Sequence, residues 1–573
     1  MSNREKITRA AFFLTGFAAV CFALVFPSEA YARFLLGAAA KDLSWGPSLF
    51  RALLFFHGVL LIAVALVRKK KNISSETNEA EKTSRAVLTG LIALSIVALV
   101  LRLWNLNSDL WVDEVYTLID FVRKPFGEIL TSFPSQNQHM LYSILAYVSL
   151  GAFGESAWAL RLPAVIFGTA SIWALFFLCR KLTGVREAFS AAALMTVSYH
   201  HVWFSQNARG YTGLLFFTLL ATYLWLEALE KNTWRLWLAY AAAVVFGMWV
   251  HMTMAFVVAA HGVVYLFGLF FPQIAGGGKE NLPLERRAGL KPLAAWILSV
   301  TVTAQLYALA LPEFLREGLH EESRNSEWTN PLWVLTEIFT NLSVGFAGAA
   351  FVLAGAAFVA FGWWKLFERN RRAAVLMVLP PIFSGSLMLA LGHNLFPRFF
   401  FFAMGFGLII VVHGAFELPE ALLNLYSRFQ KSQIPNPKSQ ISNRAGFALV
   451  ALVIAASMTT VPRNYALPKQ DFSGAKNFIE TSAAPDDAVV AVSMAGDIYE
   501  RYFHSNWAVA RSGAELENIE KRSGRVWLIY TLSPEIKAFR PEIWQAIERD
   551  YETVKIFPGT LNGGEIFVCR RRN

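Results

Sequence analysis

At 573 residues, the chain is 55% hydrophobic and 14% aromatic but only 16% charged, whereas soluble globular domains carry about 25% charged residues. That balance excludes an ordinary soluble protein. The net charge of +11 does not argue for nucleic acid, because the basic residues flank apolar runs, as at Arg68 to Lys71, Arg180 with Lys181, Arg286 with Arg287 and Arg369 to Arg372, the pattern expected of cytoplasmic span ends. Cys21, Cys179 and Cys569 have neither metal-ligand spacing nor a disulfide framework.

A helix needs about 20 mostly apolar residues to cross a hydrocarbon core. Such runs predict spans over 10–26, 47–67, 86–104, 139–153, 159–178, 186–204, 209–229, 234–250, 252–271, 292–311, 332–347, 347–366, 373–391, 398–416 and 445–461, about 13 to 15 in all. The first run follows Arg4, Lys6 and Arg9 and ends near Pro27 to Ala32 in a signal-peptide-like stretch; it is read as an uncleaved span. The basic segment Lys69 to Arg85 belongs in the cytoplasm, so residues 1–85 form an added two-span hairpin with its linker. The next span then runs outward, and the loop Asn105 to Gln138 lies outside. Counting back from the basic loops 368–372 and 427–444 also puts the chain outside after about Val461. The two counts agree only if 332–347 crosses. Otherwise a short early run such as 139–153 fails to span, which the basic stretch Lys279 to Lys291 favours. Thr336, Glu337, Thr340 and Asn341 make 332–347 a candidate interfacial helix.

After Pro462 the charge rises, and β-rich runs at Ala488 to Val492, Val526 to Thr531 and Glu565 to Val568 alternate with helical patterns such as Pro534 to Arg549. The expectation is a polytopic α-helical membrane protein with a transmembrane core over 86–462 and a small α/β domain over 463–573, on the periplasmic or extracellular side.

Chemistry concentrates in Leu103 to Tyr116, where Asp113 and Glu114 stand side by side in an apolar context beside Trp111 and Tyr116. A carboxylate at a membrane-edge cavity is costly unless it is paired or used, and there it can act as a general base toward an acceptor hydroxyl or amine. The bland alternative is a solvated loop acid. His200, His201 and His251 are read as structural, because an adjacent pair cannot chelate from one helix face. Gly276 to Gly278 follow no strand and open no periodic helix, so no phosphate-cradling loop supports a nucleotide site.

The Leu-Arg-Leu run ending in Leu110-Trp111-Val112-Asp113-Glu114 resembles the first outer loop of the GT-C superfamily of membrane glycosyltransferases, within it the protein O-mannosyltransferase and lipid A aminoarabinose transferase group (glycosyltransferase family 39-like). The group's His-Pro-Pro-Leu-Tyr is matched by His139-Met140-Leu141-Tyr142, without the prolines. Its Arg-Leu-Pro-Ser-Ala appears as Arg161-Leu162-Pro163-Ala164-Val165, its Ser-x-x-Ala-Arg-x-Tyr as Ser205 to Tyr211, and its late Arg-Tyr as Arg398-Phe399. The ordered likeness covers about residues 86 to 416. It implies transfer of a sugar from a polyprenyl-phosphate donor to a lipid, glycan or protein acceptor, with Asp113 as catalytic base and Glu114 orienting the acceptor or assisting the base. Arg398, Arg209 and Arg161 would bind the donor phosphate, and His139, Tyr142, Tyr211 and Gln206 would contact substrate. Neither a metal nor a cofactor is implied, and a bacterial inner membrane is the expected location.

Each arginine has an alternative as a headgroup or structural anchor. Rival readings are a transporter or flippase of lipid-linked sugars, which predicts half-to-half repeats that the sequence does not display, and an assembly protein acting through its C-terminal domain. Within enzymes, the alternative is a protein O-glycosyltransferase.

Overall fold

Helix α1 (Asn3–Val25) packs antiparallel to α3 (Gly46–Leu66), and the short α2 (Ser28–Leu36) joins their far ends. The computed structural model describes residues 3–37, 42–67, 84–271, 284–318, 346–393, 395–430, 438–561 and 563–572. The basic linker, Gly276 to Gly278 and nearly all of 332–347 lie outside the described residues. Eight helices among the described residues are long and apolar enough to cross a membrane, and a pair bent by 89°, Lys291–Tyr307 with Leu311–Glu317, would make a ninth. The chain is thus a multi-pass helical membrane protein.

Helix α4 (Arg85–Leu103) starts where the Ser84 side chain caps the Val87 N–H at 3.3 Å. The loop beyond it holds α5 (Val112–Tyr116), a π-helical turn (Thr117–Val122) and α6 (Phe126–Thr131). Next come α7 (Met140–Phe153), α8 (Ala157–Leu182), α9 (Val185–Thr196), α10 (Tyr199–Ser205), α11 (Tyr211–Lys231), α12 (Trp234–Val250) and α13 (Met254–Phe270). The span expected over 186–204 is therefore broken, between α9 and α10.

Helix α7 does not cross. Tyr142 donates to the Leu160 carbonyl at 2.7 Å and Ser149 to the Ala159 carbonyl at 2.6 Å. Two turns of α7, about 10 Å of helix, thus lie against one turn of α8. Helix α7 lies across the end of α8, and both of its ends are tied to the acidic loop, Asn137 to the Asp113 carbonyl at 3.4 Å and Glu155 to Arg123 at 2.6 Å, as a non-spanning 139–153 requires.

Two faces follow. On one, Lys181 pairs with Glu227 and Glu230, Arg372 pairs with Glu285, Arg186 reaches Asn443, and Arg369 donates to the Thr183 carbonyl. On the other lie the α4–α8 loop, α2 and the C-terminal domain. The basic span ends described here thus gather opposite the acidic loop.

The C-terminal domain is a five-stranded sheet in the order β2-β1-β3-β5-β4: β1 (Ala488–Val492), β2 (Ala508–Ala510), β3 (Val526–Thr531), β4 (Tyr551–Phe557) and β5 (Ile566–Arg571). Strand β1 runs parallel to β2 and β3, while β5 runs antiparallel to β3 and β4. Every residue of β3 is buried, as expected of a central strand covered on both faces. Helices Gly513–Arg522 and Pro541–Asp550 contribute to the core on one face; on the other, Phe472–Ser482 and Ser493–Arg501 share a continuous core with Leu110, Val112, Val115 and Leu118 of the acidic loop. The helix expected over 534–549 is two, Ser533–Phe539 and Pro541–Asp550, because Pro541 has no N–H to continue the first.

Candidate active site

The acidic loop leaves α4 through Asn105, which adopts a left-handed φ of 53°, a conformation asparagine tolerates better than most residues. It re-enters a helix at α5, whose first turn presents Asp113 and Glu114 in different directions. Glu114 is fully buried. Its carboxylate receives Arg161 Nε at 2.8 Å and Nη2 at 2.6 Å, the Ala208 N–H at 2.6 Å and the Trp111 N–H at 3.3 Å. Burial alone would raise its pKa, but the charges of Arg161 and Lys469, with the hydrogen bonds from Arg161 and Ala208, outweigh it and hold the carboxyl below its ordinary value.

Arg161 has no donor left for a phosphate. Beyond Glu114 it donates to the carbonyls of Leu106 (2.8 Å), Ser108 (2.9 Å) and Asp109 (2.8 Å) and to Ser108 Oγ (3.1 Å), and it is fully buried. Its expected phosphate role is corrected: the planar guanidinium fork shapes the loop from within. The acceptor-orienting role expected of Glu114 is corrected with it, since the carboxylate is consumed by the same cluster.

Asp113 points elsewhere. Its Oδ2 lies 3.9 Å from Arg209 Nη2 and 3.8 Å from Arg398 Nη1, with 18% of its side chain exposed. These are ion-pair distances but too long for hydrogen bonds, so the guanidinium donors stay open. Arg209 uses Nη1 on the Asn137 carbonyl at 3.1 Å, and its buried Nε has no partner. Arg398 sits among the rings of Phe396 (4.6 Å to the centroid), Phe399 (5.6 Å) and Trp111 (5.9 Å), and its Nε is likewise unpartnered. Two guanidinium groups against one carboxylate leave a surplus positive charge beside a partly open acid.

This arrangement sits in a fold with known counterparts. The archaeal oligosaccharyltransferase AglB from Archaeoglobus fulgidus, solved with an inhibitory peptide and a dolichol-phosphate, aligns with a TM-score of 0.50 at 12% identity over 84% of this chain and 74% of its own. At that identity the likeness is one of fold. Residues 140–271 also match the family model for dolichyl-phosphate-mannose-protein mannosyltransferases. ArnT from Cupriavidus metallidurans in the apo state aligns with a TM-score of 0.48 at 15% identity over 84% of this chain and 98% of its own. No curated protein matches by sequence.

Within this fold the remaining expected residues fall behind the open pair. His139 Nδ1 accepts the Gly210 N–H at 2.7 Å, which leaves the proton of a neutral imidazole on Nε2, an atom buried without a partner. Gly210 is needed there: a Cβ would stand 3.0 Å from His139 Nδ1 and 2.9 Å from the Val250 carbonyl oxygen. Tyr211 is 2% exposed, with its ring edge-on to His139 at 5.6 Å and under Arg209 at 5.7 Å. It supports Arg209 instead of facing substrate. Tyr142 is buried with its hydroxyl on Leu160, and Gln206 bridges the Arg102 and Trp104 carbonyls and takes Asn464. Their expected substrate contacts are corrected to structural ones for the same reason, that their polar atoms are already used. His201 serves as a partner of buried Arg102 at 2.6 Å.

The residues that sequence reasoning missed come from the C-terminal domain. Gln470 accepts the Val112 N–H at 2.9 Å, at the first turn of α5, while its amide donates to Thr531 Oγ1 at 2.9 Å and the Gly564 carbonyl at 3.1 Å. Ser473 donates through N–H and Oγ to Asp109 at 2.8 and 2.9 Å. Lys469 is buried, donates to the Gln206 carbonyl, and has its ammonium pulled down to about 7 by burial and by Arg161, against the opposing effect of Glu114. No motif flags these residues, because their partners in the loop and at Gln206 lie 263 to 364 positions away in sequence. Among the described residues, no group of three or more His, Cys, Asp or Glu side chains is arranged to hold a metal ion.

Proposed function

We propose that the chain is a membrane glycosyltransferase that takes a sugar from a polyprenyl-phosphate donor and passes it to a lipid, glycan or protein acceptor on the non-cytoplasmic face. The observation that carries this reading is Asp113 flanked by Arg209 and Arg398 with open guanidinium donors. In this scheme the donor phosphate lies across Arg209 and Arg398, which suit phosphate oxygens by charge and by planar geometry. Asp113 takes the proton of the acceptor hydroxyl or amine as it attacks the anomeric carbon. The bond from that carbon to the phosphate oxygen breaks, its electron pair stays on the phosphate, and the two arginines stabilise the added charge. Attack from the face opposite the phosphate inverts the anomeric centre. No metal is invoked, since the guanidinium groups take the charge-neutralising part.

The clustering of basic span ends opposite Asp113 supports a non-cytoplasmic site, with the C-terminal domain on that same side. AglB, the fold neighbour above, was solved with dolichol-phosphate, a lipid phosphate of the proposed donor class. The test is transfer of radiolabelled sugar from a panel of polyprenyl-phosphate sugars in membranes carrying wild type, Asp113→Asn or Arg398→Gln at equal protein level. Asp113→Asn should abolish turnover, and Arg398→Gln should raise the donor KM by about ten-fold or more, the worth of a charged hydrogen bond. Undiminished transfer by Asp113→Asn would refute the assignment, and transfer by no protein from any donor would favour a transporter.

A further inference from the structure

The added hairpin builds a second feature, apart from the proposed catalytic site. A cavity of about 980 Å³ lies between the α1–α3 hairpin and the core, walled by α2 with Phe22, Phe26, Leu130, Trp249 and Leu306. Its walls are bonded together: His57 of α3 reaches Gln305 at 2.5 Å and Thr301 at 3.0 Å in the helix Lys291–Tyr307, and Arg51 Nε donates to the Ala23 carbonyl at 2.5 Å. It is a built space at the Asp113 side of the spans, and Phe34, 89% exposed, stands at its edge.

Its polar groups form a pattern. Glu29 and Arg33 both line it, one turn apart on α2, and both are exposed. Glutamate followed four residues later by arginine ordinarily makes a favourable helix pair, with Cβ atoms about 5–6 Å apart. Here neither charge has a hydrogen-bond or ionic partner among the described residues. The Trp249 indole N–H is buried without an acceptor as well. An apolar cavity with an unpaired cation, an unpaired anion and an unfilled donor has the make-up of a ligand site.

We propose that this cavity seats an aminophospholipid of the leaflet on the Asp113 side. Its acyl chains lie among Phe22, Phe26, Phe34 and Leu306, its phosphate meets Arg33, and its ammonium meets Glu29. Charge complementarity selects this occupant: a guanidinium alone would take any anionic lipid, but the carboxylate one turn away repels a second negative charge and pairs with an amine. The spacing of one helical turn suits the short ethanolamine bridge between phosphate and ammonium. Trp249 is then available to an ester carbonyl.

The test uses the full chain in detergent, with native mass spectrometry counting retained lipid after addition of dioleoyl phosphatidylethanolamine or dioleoyl phosphatidylglycerol. Wild type should retain the ethanolamine lipid in preference by about ten-fold, on the order of one charged contact. Glu29→Gln should remove the preference, Arg33→Gln should weaken both lipids, and Ala30→Trp or Leu306→Trp, filling the cavity from opposite walls, should abolish retention while the unfolding midpoint holds. Equal retention by wild type and both filled variants would place the lipid on the outer belt and overturn the proposal, as would an unchanged preference in Glu29→Gln or displacement of the ethanolamine lipid by a polyprenyl phosphate alone. Retention is read without any sugar transfer, so it stands or falls independently of the proposed activity.

Discussion

Arg161→Leu separates a loop-building arginine from a phosphate-binding one. In the wild type, Glu114 is fully buried and accepts two hydrogen bonds from Arg161 and one each from Ala208 and Trp111. Removing one partner of a buried ion pair costs about 3–5 kcal/mol. Glu114 can escape by protonating, and at pH 7 that costs a carboxyl of ordinary pKa roughly 3.7 kcal/mol, which caps its share. The part-buried carbonyls of Ser108 and Asp109 lose their donors too but regain water, whereas the buried Leu106 carbonyl is left without one. The expected loss is therefore about 4 kcal/mol or more, with turnover falling as Asp113 loses its support. Arg161→Leu combined with Glu114→Leu should be more stable than Arg161→Leu alone, because the stranded charge is gone. Buried Cys179, on the same helix as Arg161, and buried Cys569, in the C-terminal domain, report unfolding through a thiol-reactive dye. An unchanged unfolding midpoint together with a raised donor KM and normal turnover would refute this reasoning and restore Arg161 as a phosphate ligand.

Two further outcomes follow from domain docking. Gln470→Ala strands the buried Val112 N–H at a cost of about 1–3 kcal/mol, so kcat should fall with the donor KM unchanged; an unaltered kcat would show that the C-terminal domain does not position α5. Lys469 titrates near 7 when folded and near 10.5 when exposed. Between those values the unfolded chain holds a proton that the folded chain has released, so stability should rise with pH from about 7 to about 10.5 and be flat below 7. Lys469→Met should flatten that rise in an unfolding series, and a slope identical to wild type would assign it to other groups.

Much of the architecture was readable from local pattern. Apolar runs of spanning length announce helices whatever their neighbours, because a backbone in hydrocarbon must satisfy its own hydrogen bonds. Strands β1 and β3 appeared at their observed bounds, since β-branched and apolar runs bury on both faces. Edge strand β4, with Glu552 to Ile556 exposed, has no such run and went unseen. The fate of 139–153 was undecidable in the same terms: its composition fits a span, and only the bonds of Tyr142 and Ser149 to adjacent carbonyls of α8 set it across that helix.

The division is sharpest at the acids. Order along the chain marked Asp113, Glu114, Arg161, Arg209 and Arg398 as one set, but sequence carries residue types, and their exposure depends on what closes over them. Neighbouring carboxylates on one helical turn point different ways, so Glu114 meets Arg161 in the core while Asp113 meets Arg209 and Arg398 at the opening. Tertiary structure alone also decided that Gln470 and Lys469 back this loop, because contacts spanning hundreds of residues depend on where the sheet domain docks, and no local spacing encodes that.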